Sequence, residues 1–488
     1  MTTPDDLTSR VRDVLDIAHA AFADHPDQAR VDAIAERLDE PLRVAVAGKV
    51  KAGKSTLLNA LVGEELAPTD AGECTRLVTW YRNGHTYRVE LHRNDGSTRQ
   101  VPFQRDAGAL DIDLQGVPLG EIDHLDVTWP SQRLAELTLI DTPGLGSLSS
   151  DVSARSEAFL ALDDDAEPTE VDAVIYLMRH LHHSDLDFLE AFHDSSVGQP
   201  SPINAVAVLS RADEVGSCRL DALTAAQRVA RRLRAEPRMR QLCQTVVPVA
   251  GLLAQAAMTL TESQYRALRA VAELPAETAD ALLLTVDRLV DPADDAVPVA
   301  DRVALLDRLG LFGVRTSVSL IRLGAADTAG ALAEKLRERS GISELRELLL
   351  TLFSQRRDIL KAQAALSGLE ALVMPSDVPE RAAVLAAIER VSAGAHELVE
   401  VELMQTIRQG QLPFTDAEQA ELDRLYSNIG GTPSQRLGVD VGDVREHAVA
   451  AIGRWRQRGE NPLASRDLAT TARAIVRSYE GLLAEHTS

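Results

Sequence analysis

Gly48-Lys49-Val50-Lys51-Ala52-Gly53-Lys54-Ser55 is the stretch that decides the fold class. It matches GxxxxGK(S/T) and lies between the apolar run RVAVAG (43–48) and the helix-like STLLNALVG (55–63), the strand–loop–helix setting of a phosphate-binding loop. Its glycines let backbone N–H groups turn inward on a polyphosphate, and the following helix presents its positive N-terminal end to the same place. Lys54 supplies an ammonium, Ser55 a hydroxyl able to ligate Mg2+, and Thr56 continues the first helical turn. The chain uses 46 Arg and five Lys, and three of those lysines (Lys49, Lys51, Lys54) fall within six residues, with Lys335 and Lys361 elsewhere. A chain that otherwise takes its positive charge from Arg has placed compact ammonium groups here, where a planar guanidinium would not serve.

Two later segments complete the pattern. LTLIDTPG (137–144) reads as a buried strand ending in Asp141, an acid able to hold Mg2+ through water, followed by Gly144, whose N–H can sense a terminal phosphate. INAVAVLS (203–210) ends in Ser210-Arg211-Ala212-Asp213, at the place where guanine-binding P-loop proteins carry (N/T)KxD. Asp213 can accept two hydrogen bonds from guanine that adenine cannot offer, and the aliphatic stem of Arg211 can cover a base. The departures at Ser210 and Arg211 leave a P-loop ATPase open. Val249-Ala250-Gly251, after the next strand, is a further candidate base contact.

Outward from this site, LVTWY (77–81), YRVEL (87–91), LDVTW (125–129), AVIYLM (173–178) and TVVPVA (245–250) are further strands, the later ones alternating with helical segments. That alternation predicts an α/β domain with a mainly parallel sheet flanked by helices. The first forty residues carry two amphipathic helical patterns, stopped at Pro41, and the chain after residue 251 keeps helical spacing to its end. Because the N-terminal helices lack a core of their own, they are expected to pack with the C-terminal helices as an all-α bundle or stalk. The expected division is 1–41 for helices joining the bundle, 42–355 for the P-loop domain and 356–488 for the bundle. Arg179-His180-Leu181-His182-His183-Ser184-Asp185 reads as a strand-to-helix loop capped by Ser184 rather than a metal site. Arg454-Trp455-Arg456 and Arg458 could grip lipid headgroups, but basic residues at a helix C-terminus also suit the helix dipole, and that reading is preferred.

The balance of 51 basic against 74 acidic residues, net -23, argues against a general grip on nucleic acid, and 3% aromatics supply few stacking platforms. Three scattered cysteines indicate neither a disulfide framework nor a zinc site. The acidic N-terminus does not read as a secretory leader, and no apolar run approaches the roughly 18 residues of a spanning helix. A cytoplasmic protein is expected.

GKVKAGKSTLLNALVG, LTLIDTPGLGSL, SRADE and the helical C-terminal half together resemble the bacterial dynamin-like GTPases. Within them the chain is most similar to the actinobacterial isoniazid-inducible dynamin-like proteins, in their shorter C-type members. The resemblance implies a Mg2+-dependent GTPase head on a helical stalk, nucleotide-dependent self-association through the heads or with a paralogous dynamin-like partner, and membrane remodelling. It implies anionic lipid contact at the inner face of the cell membrane. The alternative is a soluble GTPase switch or assembly factor whose helical half docks a protein partner. In APTDAGECTR (67–76), family spacing makes Thr75, rather than Thr69, the threonine that completes Mg2+ coordination. Leu145, Gly146 and Ser147 follow DTPG, so no Gln is present to orient water. Val50 stands where dynamins place a water-positioning Gln, and Lys51 where they place a cation-ligating Ser. The resemblance therefore assigns Lys51, with Lys54, Thr75 and Gly144, to catalysis, the Lys51 ammonium replacing a monovalent cation.

Overall fold

The computed structural model describes residues 7–67, 77–106, 109–143, 171–195, 204–292, 297–408, 412–429 and 431–487. Eleven strands occur among them: β1 (Leu42–Gly48), β2 (Val78–Asn83), β3 (Arg88–Arg93), β4 (Thr98–Gln100), β5 (Phe103–Asp106), β6 (Ala109–Ile112), β7 (Ile122–Trp129), β8 (Leu137–Asp141), β9 (Ala173–Met178), β10 (Ala205–Ser210) and β11 (Val246–Val249). Nine form one sheet in the order β11-β10-β9-β1-β8-β2-β7-β3-β4, and β5 pairs with β6 as a separate hairpin. From β11 to β8 every pairing is parallel. β2 then runs antiparallel to β8, β7 follows β2 in parallel, and β3 and β4 close that side antiparallel. Parallel strands require helical cover on both faces, which is why β1, β8, β9 and β10 are buried throughout and predominantly apolar, Arg43, Thr138 and Asp141 being buried polar exceptions. Pro248 is tolerated in β11 because that strand is an edge.

Alternate residues of the parallel strands feed two cores. Val44, Val46, Leu139 and Ile175 point into a large cluster that continues through Leu57 and Leu58 into the bundle, while Ala45, Ala47, Val174 and Tyr176 point to the opposite face. There they meet Leu186 and Leu189 and the small face of Ala226 and Ala230. A third cluster lies among the helices between Gly251 and Arg339.

The helices α1 (Leu7–Ala21) and α2 (Gln28–Asp39) both pack on the helix Gln355–Val373, as expected for N-terminal helices that complete a C-terminal bundle. The long helical pattern from 341 to 373 is not one helix: a π turn, Leu350–Ser354, separates Ile342–Leu349 from Gln355–Val373. Two polar contacts fix the bundle against the sheet. Asp172, at the entrance to β9, accepts the Arg43 N–H at 2.8 Å and pairs with Lys361 at 2.8 Å and Arg37 at 3.2 Å. Lys361 and Asp172 have side chains 2% and 0% exposed, and burial pulls the ammonium below its ordinary pKa while Asp172 opposes that shift. On the far side Arg240 pairs with Asp423 at 2.5 Å, and Gln244 donates to the Ser427 carbonyl.

Inside the bundle Glu400 is buried between Arg436, at 2.6 Å, and His396, at 3.4 Å. Burial pushes its carboxyl up, but the bonds from His396 and Arg436 more than offset that and hold it down at about 2. Leu372 and Val373 are buried and Phe414 packs edge-on to Trp455, so these apolar helix ends serve as core contacts. Among the described residues no helix is long and apolar enough to cross a membrane.

Candidate functional site

Parallel strands that end on one edge of a sheet leave their carboxyl ends as a common rim, the usual place for a ligand in an open α/β sheet. The rim here carries Gly48, Asp141, Met178, Ser210 and Val249, the last residues of five neighbouring strands. The loop from Gly48 leads into α3 (Lys54–Val62), with Gly53 at its N-cap in a left-handed conformation, φ 94. Gly48 has φ +147, and a Cβ there would stand 2.5 Å from the Leu177 carbonyl oxygen. Only glycine fits both the conformation and the space.

Lys54 is buried and folds back over the loop, its ammonium donating to the Gly48 carbonyl at 3.0 Å and the Lys49 carbonyl at 3.4 Å. Burial lowers its pKa, with Asp141 acting the other way. Ser55 Oγ donates to Asp141 Oδ2 at 3.0 Å, while Asp141 Oδ1 is buried with no hydrogen-bond partner among the described residues. Burial raises the Asp141 carboxyl above its ordinary range, against Lys54 and Ser55. An orphaned buried carboxylate oxygen beside a hydroxyl and a helix N-terminus fits a hard divalent cation. Thr142 ties the following turn down by donating its hydroxyl to the Val46 carbonyl.

Ala52 is buried and Val50 is 47% exposed. Lys51 is exposed with φ 62, and among the described residues its ammonium has no partner. Arg211, at φ 52, donates to the Lys51 carbonyl at 3.1 Å and pairs with Glu214 at 2.7 Å, so the guanidinium reaches the phosphate loop from the turn after β10. Ser210 turns inward: its hydroxyl donates to the Met178 carbonyl at 3.2 Å. Asp213 is buried, and desolvation raises its carboxyl. Val249 and Ala250 are buried, and Gly251 opens the helix Gly251–Thr259 against the Thr56 side chain. Thr69, Thr75 and Gly144 lie outside the described residues.

The cap expected at Ser184 is a correction. α4 (His183–Ser195) begins one residue earlier, and Asp185 closes its entry by accepting the His182 N–H at 2.8 Å. The same carboxylate pairs with Lys49 at 3.0 Å. Sequence reasoning missed Asp185 and the Arg179–Glu214 pair; the available signal was an acid at the third position of a helix that follows a buried strand. Arg454, Arg456 and Arg458, considered for lipid contact, pair with Glu421, Glu480 and Glu418.

The dynamin family model matches residues 44–184, which span the phosphate loop and Asp141. The isoniazid-induced protein IniC of Mycobacterium tuberculosis is 39% identical over 493 residues, covering 99% of this chain and 99% of that protein. A bacterial dynamin-like protein of Nostoc punctiforme is 34% identical over 150 residues, 28% of this chain and 20% of its own. Among solved structures, one described as an oligomerised bacterial dynamin pair aligns over 100% of this chain and 75% of its own, with a TM-score of 0.32 and 14% identity, a superposition too loose to carry an argument. The strand-rim phosphate loop, the family model and a relative matched from end to end agree, and the chain belongs to the bacterial dynamin-like GTPases.

Proposed function

We propose that the protein hydrolyses GTP on the rim built by Gly48 through Thr56, Asp141 and Asp213, with Mg2+ held by Ser55 directly and by Asp141 through water. The observation that carries this reading is the convergence of Lys54, Ser55 and the orphaned Asp141 oxygen at one strand end. Mg2+, which Ser55 and, through water, Asp141 would hold there, would supply Lewis-acid charge that offsets phosphate charge. The chain's own residues do the rest. Loop N–H groups cradle the phosphates, Lys54 adds a buried ammonium, and Asp213 with the Arg211 stem selects guanine; Thr75 and Gly144 would follow the terminal phosphate. Ser210, committed to Met178, leaves base recognition to Asp213. Among the described residues the Lys51 ammonium has no partner, which supports its assignment as the charge that stands in for a monovalent cation.

Membership in the dynamin family supports coupling of turnover to nucleotide-dependent association and to peripheral membrane binding or remodelling at the inner face of the cell membrane. A second reading, a GTPase that docks a protein such as a paralogous dynamin-like partner, is favoured by one observation. Arg454, Arg456 and Arg458, the arginines considered for lipid contact, already pair with carboxylates of this chain. GTP turnover measured with and without anionic liposomes across protein concentration separates the two. Lipid stimulation supports membrane coupling, and turnover indifferent to lipid supports the protein partner.

A further inference from the structure

The phosphate loop is tied down on both flanks. On one, Lys49 Nζ lies 3.0 Å from Asp185 Oδ1, a carboxylate whose side chain is 2% exposed. Asp185 is fixed before Lys49 reaches it: it accepts the Tyr176 hydroxyl at 2.8 Å and the His182 N–H at 2.8 Å. Tyr176 itself sits opposite Ala47 on the strand that feeds the loop and stacks on Phe188 of α4, with ring centroids 4.7 Å apart. On the other flank Arg211 holds the Lys51 carbonyl, and Glu214 links Arg211 to Arg179 at the start of the same 179–185 loop. These contacts, joined by the chain from Arg179 to Asp185, link Lys49 through Asp185, Arg179, Glu214 and Arg211 back to Lys51, with the exposed Val50 between the two anchored positions.

An ammonium in a phosphate loop is ordinarily read as a phosphate ligand. Here Lys49 could reach a phosphate only by leaving a buried carboxylate without its counter-ion, held by the Tyr176 and His182 donors alone, which is costly. We propose that Lys49 is a positioning residue instead: its ion pair with Asp185 sets the curvature of the loop, so that the N–H groups are aimed before nucleotide arrives. Preorganisation of this kind raises affinity by removing an ordering cost rather than by adding a contact. The inference rests on the reading of residues 48–56 as the nucleotide site. It makes Asp185, outside the GxxxxGK(S/T) pattern, a determinant of nucleotide affinity.

The test uses the full chain and fluorescent GDP and a non-hydrolysable GTP analogue, titrated against Lys49→Met, Asp185→Asn and the double variant. Loss of loop geometry weakens both nucleotides, by about tenfold for each single variant, and the double is no weaker than the worse single because the two act as one unit. Lys49→Arg, which can keep the pair, stays within about threefold. Melting of the nucleotide-free variants checks folding, and if Asp185→Asn fails to fold, Lys49→Met and Lys49→Arg still carry the comparison. Lys49→Met weakening the GTP analogue far more than GDP, with Asp185→Asn leaving affinity unchanged or improved, overturns the proposal and makes Lys49 a phosphate ligand. Additive losses in the double variant overturn it too. Failure of the unmodified protein to bind either nucleotide removes the site reading and the proposal together, whereas tight binding with uncoupled variants removes the proposal alone.

Discussion

Asp172→Asn keeps the shape of the side chain that joins sheet to bundle and one acceptor oxygen for the Arg43 N–H, while it removes the charge and turns the second acceptor into an NH2 group. Lys361, 2% exposed and 2.8 Å away, is then left without its counter-ion. Breaking a buried pair by removing one partner costs about 3–5 kcal/mol. The upper end is set by chemistry. An ammonium of ordinary pKa 10.5 can escape by losing its proton, which at pH 7 costs about 4.8 kcal/mol at about 1.36 kcal/mol per pH unit. Loss of Asp172 removes the attraction that holds the Lys361 pKa up, so the folded variant binds fewer protons than the unfolded chain over the range below 10.5. Stability rises with pH wherever the unfolded state binds more protons, and the deficit therefore shrinks as pH rises from 7 toward 10. Urea unfolding followed by far-UV circular dichroism at several pH values reads this directly. A deficit under about 1 kcal/mol at pH 7, or one that widens with pH, would refute the reasoning. Asp172→Asn combined with Lys361→Met, which deletes both charges, should recover most of the loss.

Glu400→Gln should cost about 3 kcal/mol at neutral pH, because a carboxyl held at about 2 instead of 4.5 contributes stability that is complete above the unfolded pKa and lost as pH falls through the folded one. Unfolding curves of variant and parent should accordingly converge between pH 4.5 and 2. Gly48→Ala should lose about 1–3 kcal/mol and most nucleotide affinity, since the new methyl meets the Leu177 carbonyl and the backbone must leave a positive φ; a melting temperature and GDP affinity equal to the parent would contradict this. Turnover of the parent is expected to be independent of potassium and sodium, and Lys51→Ser to acquire a dependence on one of them; a strong cation requirement in the parent would count against the assigned role of Lys51.

The parts of the fold legible in the sequence are those decided by local pattern. LTLID and AVIYLM coincide with β8 and β9, because strands buried on both faces are short, predominantly apolar runs bounded by turn residues. The short strands β4, β5 and β6 were not legible: Thr-Arg-Gln of β4 is exposed throughout and carries no alternation. The antiparallel placement of β2 beside β8 was not legible either, since pairing partners are not written in either strand alone. At the site, spacing located Lys54, Ser55 and Asp141. It could not show that Ser210 would face inward, or that Asp185 rather than Ser184 would close the start of α4. The scarcity of lysine drew attention to the phosphate loop and passed over Lys361, whose partner lies 189 positions earlier in the chain.

The π turn at Leu350–Ser354 governs how the two halves face each other. Such a turn is equivalent to one residue inserted into an α-helix, and each residue of an α-helix advances its face by about 100°. Were Leu350–Ser354 to relax into plain α-helix at unchanged length, the run from Ile342 to Val373 would continue unbroken while everything beyond the turn rotated by more than a quarter of a revolution. Lys361 would swing off Asp172, and the face of the helix that receives α1 and α2 would be offered to solvent. The azimuth of the bundle is thus held by the turn that absorbs the extra residue, and deleting one residue there, which keeps the faces beyond it in phase, should be better tolerated than inserting another.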